Sequence, residues 1–257
     1  MVRTPRLIPV LDVMGGLVVR AVAGRREDYR PVRSTLTQST EPLAVARALL
    51  EATGAGDLYV ADLGAITGTD RSGGVVRMLA ERCECRLYAD LGIRTVADFR
   101  SIPRLKNVVP VLGCETLAGP DVGLAAGFDF LSDWAFSTDL YRGRLLGDWS
   151  AWGDFGVRSD GDVWEMAAVA VMNMAAGSLI VLDLADVGTM SGPGTEYWCR
   201  KIKATLPEVE IISGGGVRSW DDIDRLGEAG ADAVLVASAL HDGTITFPRP
   251  ASPAPRP

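Results

Sequence analysis

The segment Gly-Val-Arg-Ser-Trp-Asp-Asp at residues 216–222 repeats, with small changes, the segment Gly-Ile-Arg-Thr-Val-Ala-Asp at residues 92–98. Three more pairs follow in the same order at nearly the same offset: Asp12 with Asp139, Asp62 with Asp183, and residues 111–114 with 236–239. Landmarks repeated in order at a near-constant interval predict an internal duplication. Each repeated segment begins with a glycine after an apolar run, as at a strand-to-helix turn.

Eight short apolar runs alternate with helical patterns along the chain, as parallel strands covered by helices do. The runs are Leu7–Val13, Leu58–Asp62, Arg86–Asp90, Val108–Leu112, Trp134–Asp139, Leu179–Asp183, Val209–Ser213 and Ala233–Ala237. They predict one (β/α)₈ TIM barrel over residues 1–246, built from two related half-barrels of about 1–125 and 126–246. The Pro-rich residues 247–257 are expected to be a disordered tail.

Local signals predict where several helices begin and end. Thr40 is a candidate N-cap before Pro42, and Ser219 is another before a pair of aspartates. Glycines after helical runs are candidate C-terminal caps, at Gly54, Gly127, Gly177 and Gly230.

Composition excludes several classes of function. The chain has 257 residues, a net charge of −7 and a pI near 4.9, which disfavours a nucleic-acid surface. No apolar run is long enough to span a bilayer, so a cytoplasmic protein is expected. Four cysteines and one histidine, with Cys83 and Cys85 too close for a usual zinc pair, predict reduced thiols and no metal site.

Asp12 and Asp139 end the first and fifth predicted strands. In a barrel these strands face each other, and their carboxyl ends open on the active-site face. Two opposed carboxylates can act as general acid and general base on one substrate. The alternative is that each aspartate only caps its own loop.

Residues 213–218, Ser-Gly-Gly-Gly-Val-Arg, lie between a strand and a helix. Backbone amides of Gly214, Gly215 and Gly216 are candidates to bind a phosphate, although a tight turn alone is the simpler alternative. The corresponding first-half turn has Asp90 before Gly92, which makes a phosphate there less favourable.

Residues 141–162 form a long connection after the fifth predicted strand, and long connections at this barrel face are often lids. Trp149 and Trp152 lie in it and could stack on a flat heterocycle, or could simply anchor the loop.

These motifs resemble a known family. Residues 7–24, LIPVLDVMGGLVVRAVAG, resemble the start of the ProFAR isomerases of histidine biosynthesis, and SGGGVRSWDDI with GADAVLVASALHDG resembles their end. The resemblance extends to about Ile245. It implies a two-half (β/α)₈ barrel, related to the cyclase subunit of imidazole-glycerol-phosphate synthase.

The resemblance also implies a reaction and a set of residues. The reaction is an Amadori rearrangement of a phosphorylated aminoaldose without a cofactor, with Asp12 and Asp139 as the catalytic pair. One phosphate would bind at Gly214–Gly216. The other would bind near Gly92, Arg94 and Gly113. Thr189, in a retained Thr-Met-Ser-Gly-Pro segment, is a further candidate. The partner would be a small phosphorylated substrate, bound by a monomer or small homo-oligomer.

Several positions depart from the family pattern. Leu182 and Val187 stand where the family has Thr and Asp, and Ala237 stands where it has a phosphate-binding glycine. These departures predict a divergent relative that is a poor ProFAR isomerase. They leave open an alternative: a paralogue that binds or converts a phosphorylated pterin-type or nucleotide-type ligand in tetrahydromethanopterin-linked one-carbon metabolism. The cyclase is a third hypothesis, disfavoured by Arg20 where cyclases usually have lysine.

Overall fold

The computed structural model describes residues 4–69, 74–102, 104–130, 133–148, 150–158 and 160–249. Eight parallel strands pair in sequence order, and the last closes on the first, with Arg6 opposite Ala233 and Pro9 opposite Val236. The barrel strands are β1 (Arg6–Met14), β2 (Asp57–Asp62), β3 (Arg86–Asp90), β4 (Val108–Gly113), β5 (Ala135–Tyr141), β6 (Ser178–Asp183), β7 (Glu210–Gly214) and β8 (Ala233–Val236). The predicted (β/α)₈ barrel is confirmed.

Helices cover the outside of the barrel and also follow the strand ends. They are α1 (Pro42–Thr53), α2 (Leu63–Thr67), α3 (Gly74–Arg82), α4 (Val96–Ser101), α5 (Pro120–Phe130), α6 (Val163–Met172), α7 (Glu196–Thr205), α8 (Trp220–Glu228) and α9 (Ser238–His241). Three short strands, Leu17–Arg20, Arg30–Pro31 and Arg144–Leu145, extend the sheet at the carboxyl end of the barrel. An apolar core lies between the strands and the helices, and a second fills the barrel interior.

Charged side chains close the opposite end of the barrel. Arg6 bonds Asp57 at 3.1 Å and Glu210 at 2.8 Å, and Arg86 Nε bonds Asp57 at 3.1 Å. The Tyr88 hydroxyl donates to Glu210 at 3.2 Å from inside the barrel. In (β/α)₈ barrels this end contributes to stability and the active site lies at the opposite, carboxyl end of the strands.

The two repeated segments have the same local structure. Gly92 and Gly216 both have positive φ, +57° and +70°. The helices that follow are capped in matching positions: Thr95 accepts from the Asp98 amide, and Ser219 accepts from the Asp222 amide. These features support the proposed duplication.

Hairpins follow the two predicted catalytic aspartates as well. After Asp12, β1 pairs antiparallel with Leu17–Arg20, and after Asp139, β5 pairs antiparallel with Arg144–Leu145. The corresponding strands of the two proposed halves therefore lead into the same kind of loop.

The structure corrects some predicted boundaries. Helix α1 is capped by Glu41, not Thr40: its carboxylate accepts from the amides of Leu43 and Ala44. Gly127 lies inside α5, where a Cβ would collide with the backbone of Met174, so close packing rather than a cap requires it. Gly54 and Gly230 do have positive φ at helix ends, as predicted.

Of two further predicted caps one is confirmed, and the first residues of the predicted tail contact helix α8. Ser219 caps α8 as predicted, whereas Gly177 follows a helix whose C-cap is Asn173. Phe247 contacts the ring of Trp220 at a centroid distance of 5.1 Å, and Arg249 pairs with Asp224. Residues 247–249 thus contact helix α8, and the rest of the predicted tail, 250–257, lies outside the described residues.

Candidate active site at the carboxyl ends of the strands

A cleft with about 920 Å³ of empty space, including its open mouth, lies at the carboxyl ends of the strands. Its polar wall contains Asp12, Asp90, Glu115 and Asp139, and Arg26 is the one basic residue among the residues that line it. Its other wall is apolar, with Leu182, Leu184, Val187, Met190 and Leu235. The cleft therefore combines acid–base groups with a large non-polar surface.

The structure brings the predicted pair, Asp12 and Asp139, into this cleft. Asp12 is half-buried, and its carboxylate has no hydrogen-bond partner among the described residues. Burial raises the pKa of Asp12 to about 7. A carboxyl group with a pKa near neutrality can hold or release a proton at the pH where most enzymes operate.

Asp139 is buried and held in place by its neighbours. The Ser137 hydroxyl donates to its Oδ1 at 2.6 Å, and its own amide donates to the Cys114 sulfur at 3.1 Å. Burial, followed by the nearby charge of Glu115, raises the pKa of Asp139 to about 8, against the opposing hydrogen bond from Ser137. At neutral pH this group is mainly protonated, as a general acid needs to be.

Two further acids complete the wall, and sequence reasoning did not assign them to the site. Asp90 Oδ2 and Asp139 Oδ2 converge over Gly113, where a Cβ would lie 3.7 Å and 3.0 Å from them. Burial raises the pKa of Asp90 to about 7 and also raises that of Glu115, which Arg26 contacts at 3.4 Å. Their position in the sequence could have identified them, because each lies at or just beyond the end of a barrel strand.

Two tyrosines also line the cleft and were not predicted. Tyr29 and Tyr59 are both buried, and neither hydroxyl has a partner among the described residues. Burial and the surrounding acids raise the pKa of Tyr59 well above its usual value, and burial raises that of Tyr29 to about 12. Both hydroxyls therefore stay protonated and can donate a hydrogen bond to a ligand.

The glycine turn after β7 opens partly on the cleft. Gly215 and Gly216 line it, together with Ser238 at the start of α9. Gly214 lies within β7, and a Cβ there would be 2.8 Å from the Leu235 backbone oxygen. The three predicted glycines thus divide into a packing position and two cleft positions.

The residues predicted to bind a phosphate in the first half, Gly92, Arg94 and Gly113, make contacts within the protein instead. The Gly92 amide donates to Asp90 Oδ1 at 3.0 Å. The Arg94 guanidinium donates to the Gly92 and Ala65 carbonyl oxygens at 2.9 and 3.2 Å, and Arg94 is not among the residues that line the cleft. Gly113 lies under the carboxylates of Asp90 and Asp139. The structure therefore does not bring these three positions together as a free anion site.

The structure also does not bring Trp152 or Thr189 to the cleft wall. Trp152 is fully buried, and its ring lies 6.2 Å from that of Phe136 in an edge-to-face contact. Thr189 is exposed, and its hydroxyl donates to the Asp186 carbonyl at 2.7 Å. Trp152 thus anchors the long loop inward. Trp149 lies outside the described residues.

Comparison with known proteins agrees with this architecture. The family model described as "Histidine biosynthesis protein" matches residues 6–246. The chain belongs to this family. An uncharacterized protein of Methanocaldococcus jannaschii is 27% identical over 244 residues, covering 93% of this chain and 95% of the relative.

Two relatives with named activities show similar identity. An imidazole-4-carboxamide isomerase of the ProFAR type from Natronomonas pharaonis is 28% identical over 242 residues, covering 94% of this chain and 95% of the relative. The imidazole glycerol phosphate synthase subunit HisF of Exiguobacterium sibiricum is 29% identical over 246 residues, covering 95% and 93%. Further relatives that carry the isomerase name, from Thioalkalivibrio sulfidiphilus among others, are 26–29% identical, so the chain is a divergent relative of the ProFAR isomerases.

The positions that depart from the family pattern lie together in this family member. Leu182, Val187 and Ala237 all line the cleft.

The described helices include none that is long and apolar enough to cross a membrane. All four cysteines are free and buried, and the described residues contain no group of three or more side chains suited to hold a metal ion.

Proposed function

We propose that the protein is an Amadori-type aldose–ketose isomerase acting on a phosphorylated ribosylamine. One observation carries this proposal: Asp12 and Asp139 line the same cleft from β1 and β5, and the pKa of each is raised towards neutrality, to about 7 and about 8. Membership of the histidine biosynthesis family supports the same reaction class.

The two pKa values suggest a division of roles. Asp139, the more strongly protonated carboxyl, donates its proton to the ring oxygen of the furanose. The bond between C1 and that oxygen breaks, and the nitrogen lone pair forms the C1=N bond of a protonated Schiff base. Asp12, as carboxylate, then removes the C2 proton, and the C–H electrons form a C1=C2 enolamine. Tautomerisation of the enolamine gives the aminoketose, so no atoms are gained or lost.

The tyrosine hydroxyls and the glycine turn would hold the substrate for these steps. The protonated hydroxyls of Tyr29 and Tyr59 can donate to sugar oxygens. Gly215, Gly216 and Ser238 form the part of the wall best suited to a phosphate, because glycine lets a ligand approach the backbone closely. In this arrangement the phosphate lies on the second-half side of the cleft.

A second candidate function rests on the apolar wall. Leu182 and Val187 stand where polar groups are expected for the histidine enzyme, and Met190 lies beside them. A flat heterocycle packs well on such a surface, which favours a phosphorylated pterin-type or nucleotide-type ligand, as in tetrahydromethanopterin-linked one-carbon metabolism. No cofactor is invoked for either function.

The deciding experiment is an assay of purified protein with ProFAR, together with complementation of a histidine auxotroph that lacks the isomerase. We expect slow isomerisation and no complementation. Each lost polar contact weakens transition-state binding by about 0.5–3 kcal/mol. Two such losses, about 1–6 kcal/mol together, lower kcat/KM by about 5- to 25,000-fold.

The residual activity should disappear in both Asp12→Asn and Asp139→Asn. It should persist in the control Asp154→Asn, which makes the same chemical change at an exposed acid outside the cleft. No turnover at high enzyme concentration would reject isomerisation of this substrate and favour the second candidate. If the auxotroph grows as fast with this protein as with an authentic ProFAR isomerase, Leu182, Val187 and Ala237 lower the isomerase activity little.

A further inference from the structure

The first-half side of the cleft is acidic and lacks free positive charge. Asp90 and Glu115 lie there, next to Asp139 of β5, and Arg26, the one basic residue of the lining, already contacts Glu115 at 3.4 Å. The nearby Arg94 points its guanidinium at backbone carbonyls of residues 65 and 92. An anion entering this end would meet three acidic side chains and one lining cation, Arg26, which already contacts one of those acids.

The backbone donor that could have bound an anion here is also occupied. The Gly92 amide donates to Asp90 Oδ1 at 3.0 Å. At the offset of 124 residues that relates 92 to 216, Asp90 corresponds to Gly214, which has no side chain. The acid therefore fills the first-half turn from within, whereas the second-half turn carries no such group. The two turns that face the cleft therefore differ by one acidic side chain.

A second, independent feature of the acidic end is a tyrosine hydroxyl without a partner among the described residues. Tyr59 is 6% exposed, it lines the cleft, and its hydroxyl has no hydrogen-bond partner among the described residues. The charges of Asp90, Asp139, Asp12 and Glu115 all act on it. A hydroxyl in the cleft wall that bonds no described protein group can donate a hydrogen bond to a ligand or accept one from it.

We infer that the substrate carries a protonated amine in addition to the C1 nitrogen whose lone pair opens the ring. Asp90, Glu115 and the Tyr59 hydroxyl hold this amine, and Gly215–Gly216 hold a single phosphate. This inference rests on the proposed function, and it narrows the substrate from a bisphosphate to an amino-sugar monophosphate. An ammonium donates up to three hydrogen bonds, to the carboxylate oxygens and to the tyrosine oxygen. The phosphate lies at the opposite, glycine-lined end.

The proposed ammonium would also change the protonation of the acids in the cleft wall. Burial raises the pKa values of Asp90 and Glu115. A cation within hydrogen-bonding distance would lower both pKa values and restore the carboxylates. A metal ion is a poorer candidate, because the described residues include no group of three or more side chains suited to hold one.

Calorimetric titration with three sugar phosphates tests this inference without requiring turnover. Glucosamine 6-phosphate and glucose 6-phosphate differ only in the amine, and fructose 1,6-bisphosphate offers a second phosphate instead. At about pH 7.5 the amine is largely protonated. We expect glucosamine 6-phosphate to bind at least about tenfold more tightly than glucose 6-phosphate, because charge-assisted hydrogen bonds are stronger than neutral ones. The bisphosphate should bind most weakly.

Two variants test whether Asp90 and Glu115 bind the amine. Asp90→Asn keeps an acceptor for the Gly92 amide and removes the charge, and Glu115→Gln is its counterpart across the wall. Both should reduce the amine preference to less than about threefold, and together they should strengthen binding of the bisphosphate. Glu51→Gln, on the exposed face of α1, is the matched control and should leave the preference unchanged.

Binding of glucose 6-phosphate or the bisphosphate as tight as that of the amine overturns the inference, and so does absence of binding by all three. An amine preference that survives both variants also overturns it. Loss of ProFAR turnover alone rejects the proposed reaction but leaves the charge preference measurable. The two failures are therefore distinguishable.

Discussion

Replacing Gly216 with alanine tests how the second-half turn is built. Gly216 has φ of +70°, and a Cβ there would lie 2.9 Å from the Gly192 carbonyl carbon and nearer still to its oxygen. The Gly192 amide also donates to the Gly216 oxygen at 2.9 Å, so the two backbones are tied together at this point. A methyl group therefore has to push the loop after β6 away from the turn.

The expected loss of stability has two parts. A left-handed conformation costs a residue with a Cβ about 1–2 kcal/mol. Forcing a methyl group into packed backbone adds about 1–3 kcal/mol, since carbon atoms pack about 3.5–4.0 Å apart. Gly54→Ala isolates the first part, because Gly54 has a similar φ of +65° and no atom lies within 4 Å of its Cβ position.

Urea denaturation of both variants measures the difference. We expect Gly54→Ala to lower the free energy of unfolding by about 1–2 kcal/mol and Gly216→Ala to lower it by about 2–5 kcal/mol. Titration with inorganic phosphate should show weaker binding in Gly216→Ala and unchanged binding in Gly54→Ala. Equal destabilisation in the two variants would refute the packing argument, and unchanged phosphate affinity would remove Gly216 from the anion site.

Three further predictions concern the carboxyl pair and the loop. Burial raises the pKa of Asp139 from 3.8 to about 8, so between about pH 4 and 8 the unfolded chain releases a proton that the folded protein keeps. Stability therefore falls with rising pH by up to about 1.4 kcal/mol per unit from this group. Asp139→Asn should flatten that slope in denaturation curves at pH 5.5 and 8, and an unchanged slope would argue against a buried neutral acid. Asp12→Asn should lower any identified turnover by about 100- to 10,000-fold while circular dichroism stays unchanged, and near-normal rates would exclude a proton-transfer role. Trp152→Ala should lower the unfolding free energy by about 3–5 kcal/mol; a large loss of ligand affinity in a still folded variant would instead indicate contact with the ligand.

Much of this architecture could be predicted from local sequence. Strand periodicity indicated all eight barrel strands to within a few residues, and the turn motif identified Ser219 as a cap. The ends of β1 and β5 likewise placed Asp12 and Asp139 at the cleft. These features depend on residues close together in the chain, so a pattern of neighbouring residues is enough to specify them. Even the bond from Gly92 to Asp90 is local, a turn that aspartate commonly makes two residues before a glycine.

Other features depended on closing the barrel. Trp152 is indistinguishable in sequence from a lid residue, and only its contact with Phe136 shows that it packs inward. Arg94 reads as a phosphate ligand until the fold brings the carbonyl of Ala65 to its guanidinium. Sequence determined the order of strands and the residues at their ends. The tertiary structure decided which side chains share a low-dielectric space, because burial and pairing join positions far apart in the chain.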